Sequence, residues 1–372
     1  NTPGSESTLY TAPIFLDEST LSSSTIAKSA LGPTEQFPKL EHSNDIDKSI
    51  VVRSACFNEF GDQVSETLTQ TFLISDLTLQ HSIPVISICC DEDSLLDFEK
   101  GIFVPGTNFD PEQADWTGNY YQYGREWERS AHVEYFKDSK LNYYSSIGLR
   151  THGGNSRRNP QKGMRLYART EYGNQKFRQS FFGQNGPAEF KRLVLKPMSS
   201  AWTYAGMQDM LCNRMTENPE LNIHGVNSSP AAVYINGIYW GLYQLQEHVD
   251  RHFISTHYQL DEDEYDLIKD WYGEADIGNN EAWSDLYDFI EENDLSDPIN
   301  YSYVESQIDL GNFIDYQIFQ TFVANRDWPA NNMICWKGYD HDQKWRWVFK
   351  DGDAAMLQLD LNYLSHSLST SD

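Results

Sequence analysis

Fifteen residues, Ala231 to Leu245, restrict the fold of this chain more than any other stretch. They run or alternate apolar on both sides of Asn236-Gly237. An Asn-Gly pair readily takes positive φ at both central positions of a two-residue hairpin turn. The stretch therefore predicts two long strands tightly joined, with Trp240 and Tyr243 on the faces of the second. Upstream, Asn142 to Arg150 and Met164 to Arg169 read as strands bracketing the loop Thr151 to Arg158, and Lys191 to Pro197 as another apolar strand. Trp202 to Met215 carries Met207, Met210, Leu211 and Met215 at helical spacing. Beyond Asp250 the pattern turns mainly helical. Trp283 to Ile290 and Phe313 to Phe322 are helix segments, the second with Ile314, Ile318 and Phe322 as its i, i+4 apolar stripe. A last strand pair, Met333 to Lys337 and Trp345 to Lys350, is joined by the turn Gly338 to Asp342.

The region before the hairpin lobe differs in texture. Residues 1–78 read as all-β, with short segments such as Ser49 to Phe57 and Thr69 to Ile74 separated by turns such as Glu59-Phe60-Gly61-Asp62. Size and spacing fit a small β-sandwich without a catalytic constellation. Residues 79–130 form a connector that holds the strand Ser82 to Ile88. Its long loop, Gly106 to Gly124, is either functional or packed on a neighbour. A β-rich lobe over 131–250 and a helical lobe over 251–372, either reduced or truncated, complete the α+β organisation.

At 372 residues, 39% of them hydrophobic, the chain can bury two or three cores. It has no apolar run long enough to span a membrane. It opens on Asn1-Thr2-Pro3 rather than Met, which reads as a processed form. With 28 basic against 55 acidic residues the formal net charge is −27. That balance excludes non-specific nucleic-acid binding and adhesion to anionic membranes, which need a basic face. It does not exclude ATP, whose phosphates can be neutralised by a divalent ion and a few local cations. The five cysteines show no Cys-x-x-Cys pair. Cys89-Cys90, in an apolar strand, point to opposite faces, so buried thiols are expected, with a disulfide as the alternative.

The sharpest chemical signal is Asn325-Arg326-Asp327-Trp328-Pro329-Ala330-Asn331-Asn332, directly after a helix. Protein kinases place an Asp, and an Asn five residues later, on the loop that follows such a helix. The Asp orients and deprotonates the attacking hydroxyl and the Asn helps hold a metal. Asp327 and Asn332 have that spacing. The following hairpin ends in Asp351-Gly352-Asp353, where kinases put a metal-binding Asp. Either pattern alone is weak: Asp327 can equally cap a turn, and an Asp-x-Asp pair is often solvated. Their joint order around a helix and a hairpin favours a phosphate–metal site. His152 and His248 have no ligand partners in sequence, and Asp261-Glu262-Asp263-Glu264 is too contiguous for a calcium loop.

Four spaced segments carry a family resemblance: Gly148 to Thr170, Ile235 to Phe253, Asn312 to Asn332 and Lys344 to Asp353. They resemble the Arg-x-x-Gly…Ser…Pro-x-Lys-x-x-Arg-Leu element, the hairpin signature, and the catalytic and metal-binding segments of CotH proteins, the spore-coat family of atypical secreted kinases. Residues 1–78 resemble the C-terminal β-sandwich of chitobiase and β-hexosaminidase chains. The resemblance implies a bilobal atypical protein-kinase-like fold preceded by a small all-β sandwich. It implies a kinase using ATP and Mg²⁺ or Mn²⁺ to phosphorylate Ser or Thr hydroxyls of protein partners, outside the cell or at its surface. On the residues, it implies Asp327 as catalytic base, Asn332, Asp351 and Asp353 on the metal, and Lys162 as a phosphate-facing cation oriented by Asp209. Glu247 and Val249 would belong to an inter-lobe hinge beside the adenine. The chain departs from kinases in lacking a Gly-x-Gly-x-x-Gly loop, and Asp353 is followed by Ala354-Ala355-Met356. A non-catalytic adhesion or scaffold protein is the alternative expectation. A polysaccharide hydrolase is a more distant one.

Overall fold

A computed structural model describes residues 2–17, 47–74, 82–183, 186–198, 206–270, 272–358, 360 and 362–365. The fold is mixed α+β with several antiparallel sheets, and the chain divides into two compact units. The first comprises residues 1–179, 188–199 and 230–245. The second comprises 180–187, 200–229 and 246–372.

The first unit opens with β1 (Ile50–Ser54) and β2 (Leu68–Phe72), an antiparallel two-stranded ribbon. Most of the remaining segment expected to form a sandwich, residues 18–46 and 75–78, lies outside the described residues. The ribbon is bonded to the rest of the unit. Ser49 N–H donates to Gly237 O at 2.7 Å, and Thr71 N–H to the buried Glu134 carboxylate at 2.8 Å. Next come β3 (Val85–Cys90), the short helix α1 (Glu92–Leu96), β4 (Arg129–Lys137), β5 (Lys140–His152) and β6 (Gly163–Tyr167). The two-residue strands β7 (Phe177–Arg178) and β8 (Glu189–Phe190) pair with each other. Then follow β9 (Arg192–Pro197), β10 (Ser228–Ile235) and β11 (Ile238–Gln246).

Seven of these strands close a barrel in the order β10-β11-β9-β6-β5-β4-β3, sealed by a parallel pairing of β10 with β3. The hairpin turn is where the sequence puts it, with Asn236 at φ 49° and Gly237 at φ 85°. The expected long loop 106–124 is packed down. Tyr120 and Tyr121 are buried, and the Asn119 amide donates to the carbonyls of Phe98 and Gly101 at 3.1 Å.

In the second unit, α2 (Gln208–Met215) precedes α3 (Arg251–Tyr258), β12 (Tyr265–Lys269) and β13 (Glu274–Ile277). They are followed by α4 (Glu281–Glu292), α5 (Pro298–Gln307), α6 (Leu310–Phe322), β14 (Ile334–Gly338) and β15 (Arg346–Trp347). The region after Asp250 is less purely helical than its pattern predicts, because β12 and β13 extend the C-terminal strand pair to a four-stranded antiparallel sheet, β13-β12-β14-β15. Strand alternation sorts this sheet's side chains to two faces. Leu267, Ile334 and Trp336 pack with Phe253 and Ile254 of α3. Ile268, Cys335 and Trp347 pack with Leu286, Val304 and Phe319 of α4, α5 and α6.

One expectation fails on α6. Ile314, Ile318 and Phe322 are 46%, 60% and 71% exposed, while Asn312, Tyr316, Phe319 and Gln320 face inward. The inner face is polar enough to hide the period. Asn312 donates to Asn222 O and Trp347 O and accepts from Trp347 N–H at 2.6 Å, so it stitches the helix to β15. Cys89, Cys90, Cys212 and Cys335 are buried thiols, and Cys56 is an exposed one. Among the described residues no helix is long and apolar enough to cross a membrane.

Candidate active site

The candidate catalytic loop begins where α6 stops. Ala324, at φ 49°, takes the left-handed turn that ends the helix and sends Asn325 into the interior. The buried Asn325 amide donates to Gln320 Oε1 at 3.0 Å and to Asp351 O at 3.2 Å. Two backbone bonds run alongside it, Met356 N–H to Val323 O at 2.8 Å and a longer one, Arg326 N–H to Ala354 O at 3.4 Å. The loop that carries Asp327 and Asn332 is thus knit to the segment that carries Asp351 and Asp353, sequence-distant though they are. Trp328 anchors the loop beneath, edge-on to Tyr316 and stacked near Tyr363, with a cis bond to Pro329. Asp327 is left exposed at the apex, its carbonyl accepting from Asn331 N–H at 2.7 Å.

The second part of the site sits at the end of β15. Phe349 is buried against Phe319, and its N–H donates to His224 O at 2.7 Å. Two residues on, Asp351 adopts φ 61°, and Asn332 on the facing loop adopts φ 62°. Non-glycine residues in this left-handed region are uncommon. Asp and Asn are the types that tolerate it, and such residues concentrate at functional sites. Gly352 N–H donates to Asp209 Oδ1 of α2 at 2.8 Å, and Asp353 N–H lies 3.5 Å from Asp351 Oδ1. Asp209 is only 5% exposed.

The donors on these segments are carboxylate and amide oxygens, which suit a hard cation. Among the described residues no group of three or more His, Cys, Asp or Glu forms a ready cation cage. Mg²⁺ commonly takes one or two carboxylates and completes its shell with phosphate and water, so a sparse donor set fits an ion that arrives with a nucleotide.

Lys162 belongs to the first unit, and its environment differs from the expectation of a phosphate-facing amine. It is 1% exposed, and Nζ donates to Arg157 O at 2.9 Å and Asn159 O at 3.0 Å, over the Tyr120 ring. Burial pulls its pKa down to about 7. The ammonium braces the glycine-containing turn from within, helped by Arg157, which donates to Gly153 O and Tyr121 O. Asp209, the expected partner of that lysine, belongs to the second unit, where it accepts from Gly352 and Asn213.

Glu247 and Val249 lie just past the point where the chain enters the second unit, between residues 245 and 246. The Glu247 carboxylate accepts from the N–H and side-chain amide of Asn227, both at 2.9 Å, and lies 2.8 Å from His257 Nε2. Its own N–H donates to Asn227 O, and Val249 packs in the core around α3. Desolvation, followed by the neighbouring His257, lowers the pKa of His224 to about 4. Through its side chain Glu247 therefore ties Asn227 to α3 within the second unit.

Sequence reasoning missed Asn325. It stands two residues before Asp327, but a buried Asn at a helix end has no pattern that distinguishes it from a cap. Its partner, Asp351 O, is a backbone atom and leaves no trace in sequence.

A family model described as CotH kinase protein matches residues 149–362, more than half of the chain. No curated protein matches it.

Proposed function

This chain belongs to the CotH kinase protein family, and is thereby a protein kinase that uses ATP; from that premise we propose that it transfers phosphate to Ser or Thr hydroxyls of secreted or surface proteins with Mg²⁺ or Mn²⁺. The observation that carries this reading is the knitting of the 325–332 loop to the 351–356 segment through Asn325, Arg326 and Met356. It supports one site built on these two segments; a bilobal kinase-like fold, with a β-sandwich accessory region at the N-terminus and the chain around Glu247 and Val249 as hinge, is the part of the proposal that follows from family membership alone.

In the proposed reaction, Asp327 at its exposed apex accepts a hydrogen bond from the acceptor hydroxyl and takes its proton as the phosphoryl group transfers. Asp351, Asp353 and Asn332 would hold the divalent ion, whose contribution is to neutralise and orient the phosphate oxygens. Holding Asp351 and Asn332 in left-handed backbone fixes where their side chains start, which lowers the reorganisation left to ligand binding. Lys162 enters the proposal as a cation that must leave the carbonyls of Arg157 and Asn159 if it is to meet phosphate. Otherwise it serves by keeping their turn in shape. An extracellular or surface location suits the strongly acidic character of the chain.

The test is incorporation of label from γ-labelled ATP, with Mg²⁺ or Mn²⁺, into the protein itself or a Ser/Thr-rich acceptor. Asp351→Asn keeps a residue that tolerates the left-handed backbone but weakens metal binding. It is expected to cut labelling by at least about 100-fold with the melting temperature preserved. Labelling equal to wild type in that variant would sink the proposal.

A further inference from the structure

The turn Asp351-Gly352-Asp353 is not held by its own strand alone. It rests on α2, an element more than a hundred residues earlier. Gly352 N–H donates to Asp209 Oδ1 at 2.8 Å, and Asn213 Nδ2 donates to the same oxygen at 3.2 Å. Cys212, fully buried, fills the space where a Gly352 side chain would stand: a Cβ there would lie 2.9 Å from Cys212 Cβ and 3.1 Å from Phe349 Cζ. The contact thus has a polar half, through Asp209, and a steric half, through Cys212 and the absent side chain of Gly352. On the other side Asn325 holds Asp351 O at 3.2 Å. The peptide between residues 351 and 352 is therefore gripped from both ends, its carbonyl by the candidate catalytic loop and the following N–H by α2.

We propose that Asp209 is a positioning residue for the metal-binding turn, acting through the Gly352 N–H to set the direction of Asp351 and Asp353. The proposal rests on the functional reading above. A hydrogen bond from backbone N–H to a carboxylate oxygen is charge-assisted, and in a buried setting it is stronger and more directional than its neutral counterpart. Groups that hold a ligand's backbone or side chain in place typically contribute about 10–100-fold to metal affinity without touching the metal. Because both donors use the same oxygen of Asp209, an asparagine can accept both bonds, whereas alanine accepts neither.

The experiment pairs two readouts on the full chain. Amide hydrogen exchange, followed by mass spectrometry over residues 349–356, reports the Gly352 bond itself. Electron paramagnetic resonance titration of Mn²⁺ with a non-hydrolysable ATP analogue reports metal affinity. Asp209→Ala is expected to lose protection in the peptide and to weaken Mn²⁺ binding by about 10-fold or more, and Asp209→Asn to recover most of both. If Asp209→Ala does not fold, Gly352→Ala applies the same test from the other side, forcing the turn off Cys212 with the same expected loss of Mn²⁺ affinity. Lost protection with unchanged Mn²⁺ affinity would overturn the positioning role, as would failure of Asp209→Asn to recover affinity. If the wild-type protein binds no Mn²⁺ even with nucleotide, the functional reading fails and this inference falls with it.

Discussion

Lys162 shows how far one residue can depart from its surroundings. A fully buried ammonium has two carbonyls and a tyrosine ring for company, and burial lowers its pKa from 10.5 to about 7. The folded chain thus gives up this proton more readily than the unfolded chain. Between pH 7 and 10.5 the unfolded state binds more protons, so stability must rise with pH across that window, and the full penalty of burying the charge applies below pH 7. Lys162→Met keeps the stem and removes the charge. Its denaturation midpoint should be at or above the wild-type value at pH 6, and the gap should close towards pH 10. A wild-type midpoint that falls between pH 7 and 9 more steeply than that of the variant would contradict the assignment. The lysine's place in a motif was legible in sequence; its inward orientation was not, because that follows from carbonyls of Arg157 and Asn159 that any residue type would have supplied. Asp327, Asn332 and Asp351 are legible through spacing as candidates only. Asn325 and the action of Asp209 on Gly352 were not, since both act on backbone atoms far away in the chain.

At the scale of elements, the hairpin β10–β11 was the most legible piece because Asn236-Gly237 specifies its own turn chemistry. Gly237 carries a second duty there. A Cβ at this position would lie 2.6 Å from Ser49 O, and the Gly237 carbonyl accepts from Ser49 N–H. Gly237→Ala should therefore cost roughly 2 kcal/mol or more from the left-handed backbone and the collision together. It should also loosen the β1–β2 ribbon, seen as faster proteolysis between residues 54 and 68 at a temperature where the rest of the fold persists. Unaltered stability and protease resistance would contradict this dual role. Strands β12 and β13 were illegible for the opposite reason. They are five and four residues long and acidic at their margins, and they gain their place by pairing, β12 with β14 and β13 with β12. On α6 the period itself misled, because the buried face is carried by Asn312, Tyr316 and Gln320, whose burial follows from bonds to partners rather than from hydropathy.

For the molecule as a whole, two surface properties oppose each other. A formal charge of −27 keeps copies of the chain apart, while the stripe Ile314, Ile318 and Phe322 offers them an apolar ridge. Salt screens the first and leaves the second, so sedimentation in 0.5 M NaCl should show more self-association than at low ionic strength. Replacing the three residues together by Gln should abolish that increase while shifting stability by less than about 1 kcal/mol, since surface changes have small effects. A loss of several kcal/mol would instead mean that the stripe is packed in solution. The barrel has a consequence of another kind. Its final seam joins Val85–Ile88 to Ala232–Ile235, roughly 150 residues apart. As the ribosome extends the chain, β3 finds β4 almost at once but keeps its other edge open until β10 emerges, several seconds later at ordinary synthesis rates of about 5–20 residues per second. Through that interval an apolar strand, Val-Ile-Ser-Ile-Cys-Cys, stands as a sticky template. Newly made chains should therefore depend on holding factors during translation far more than finished ones do.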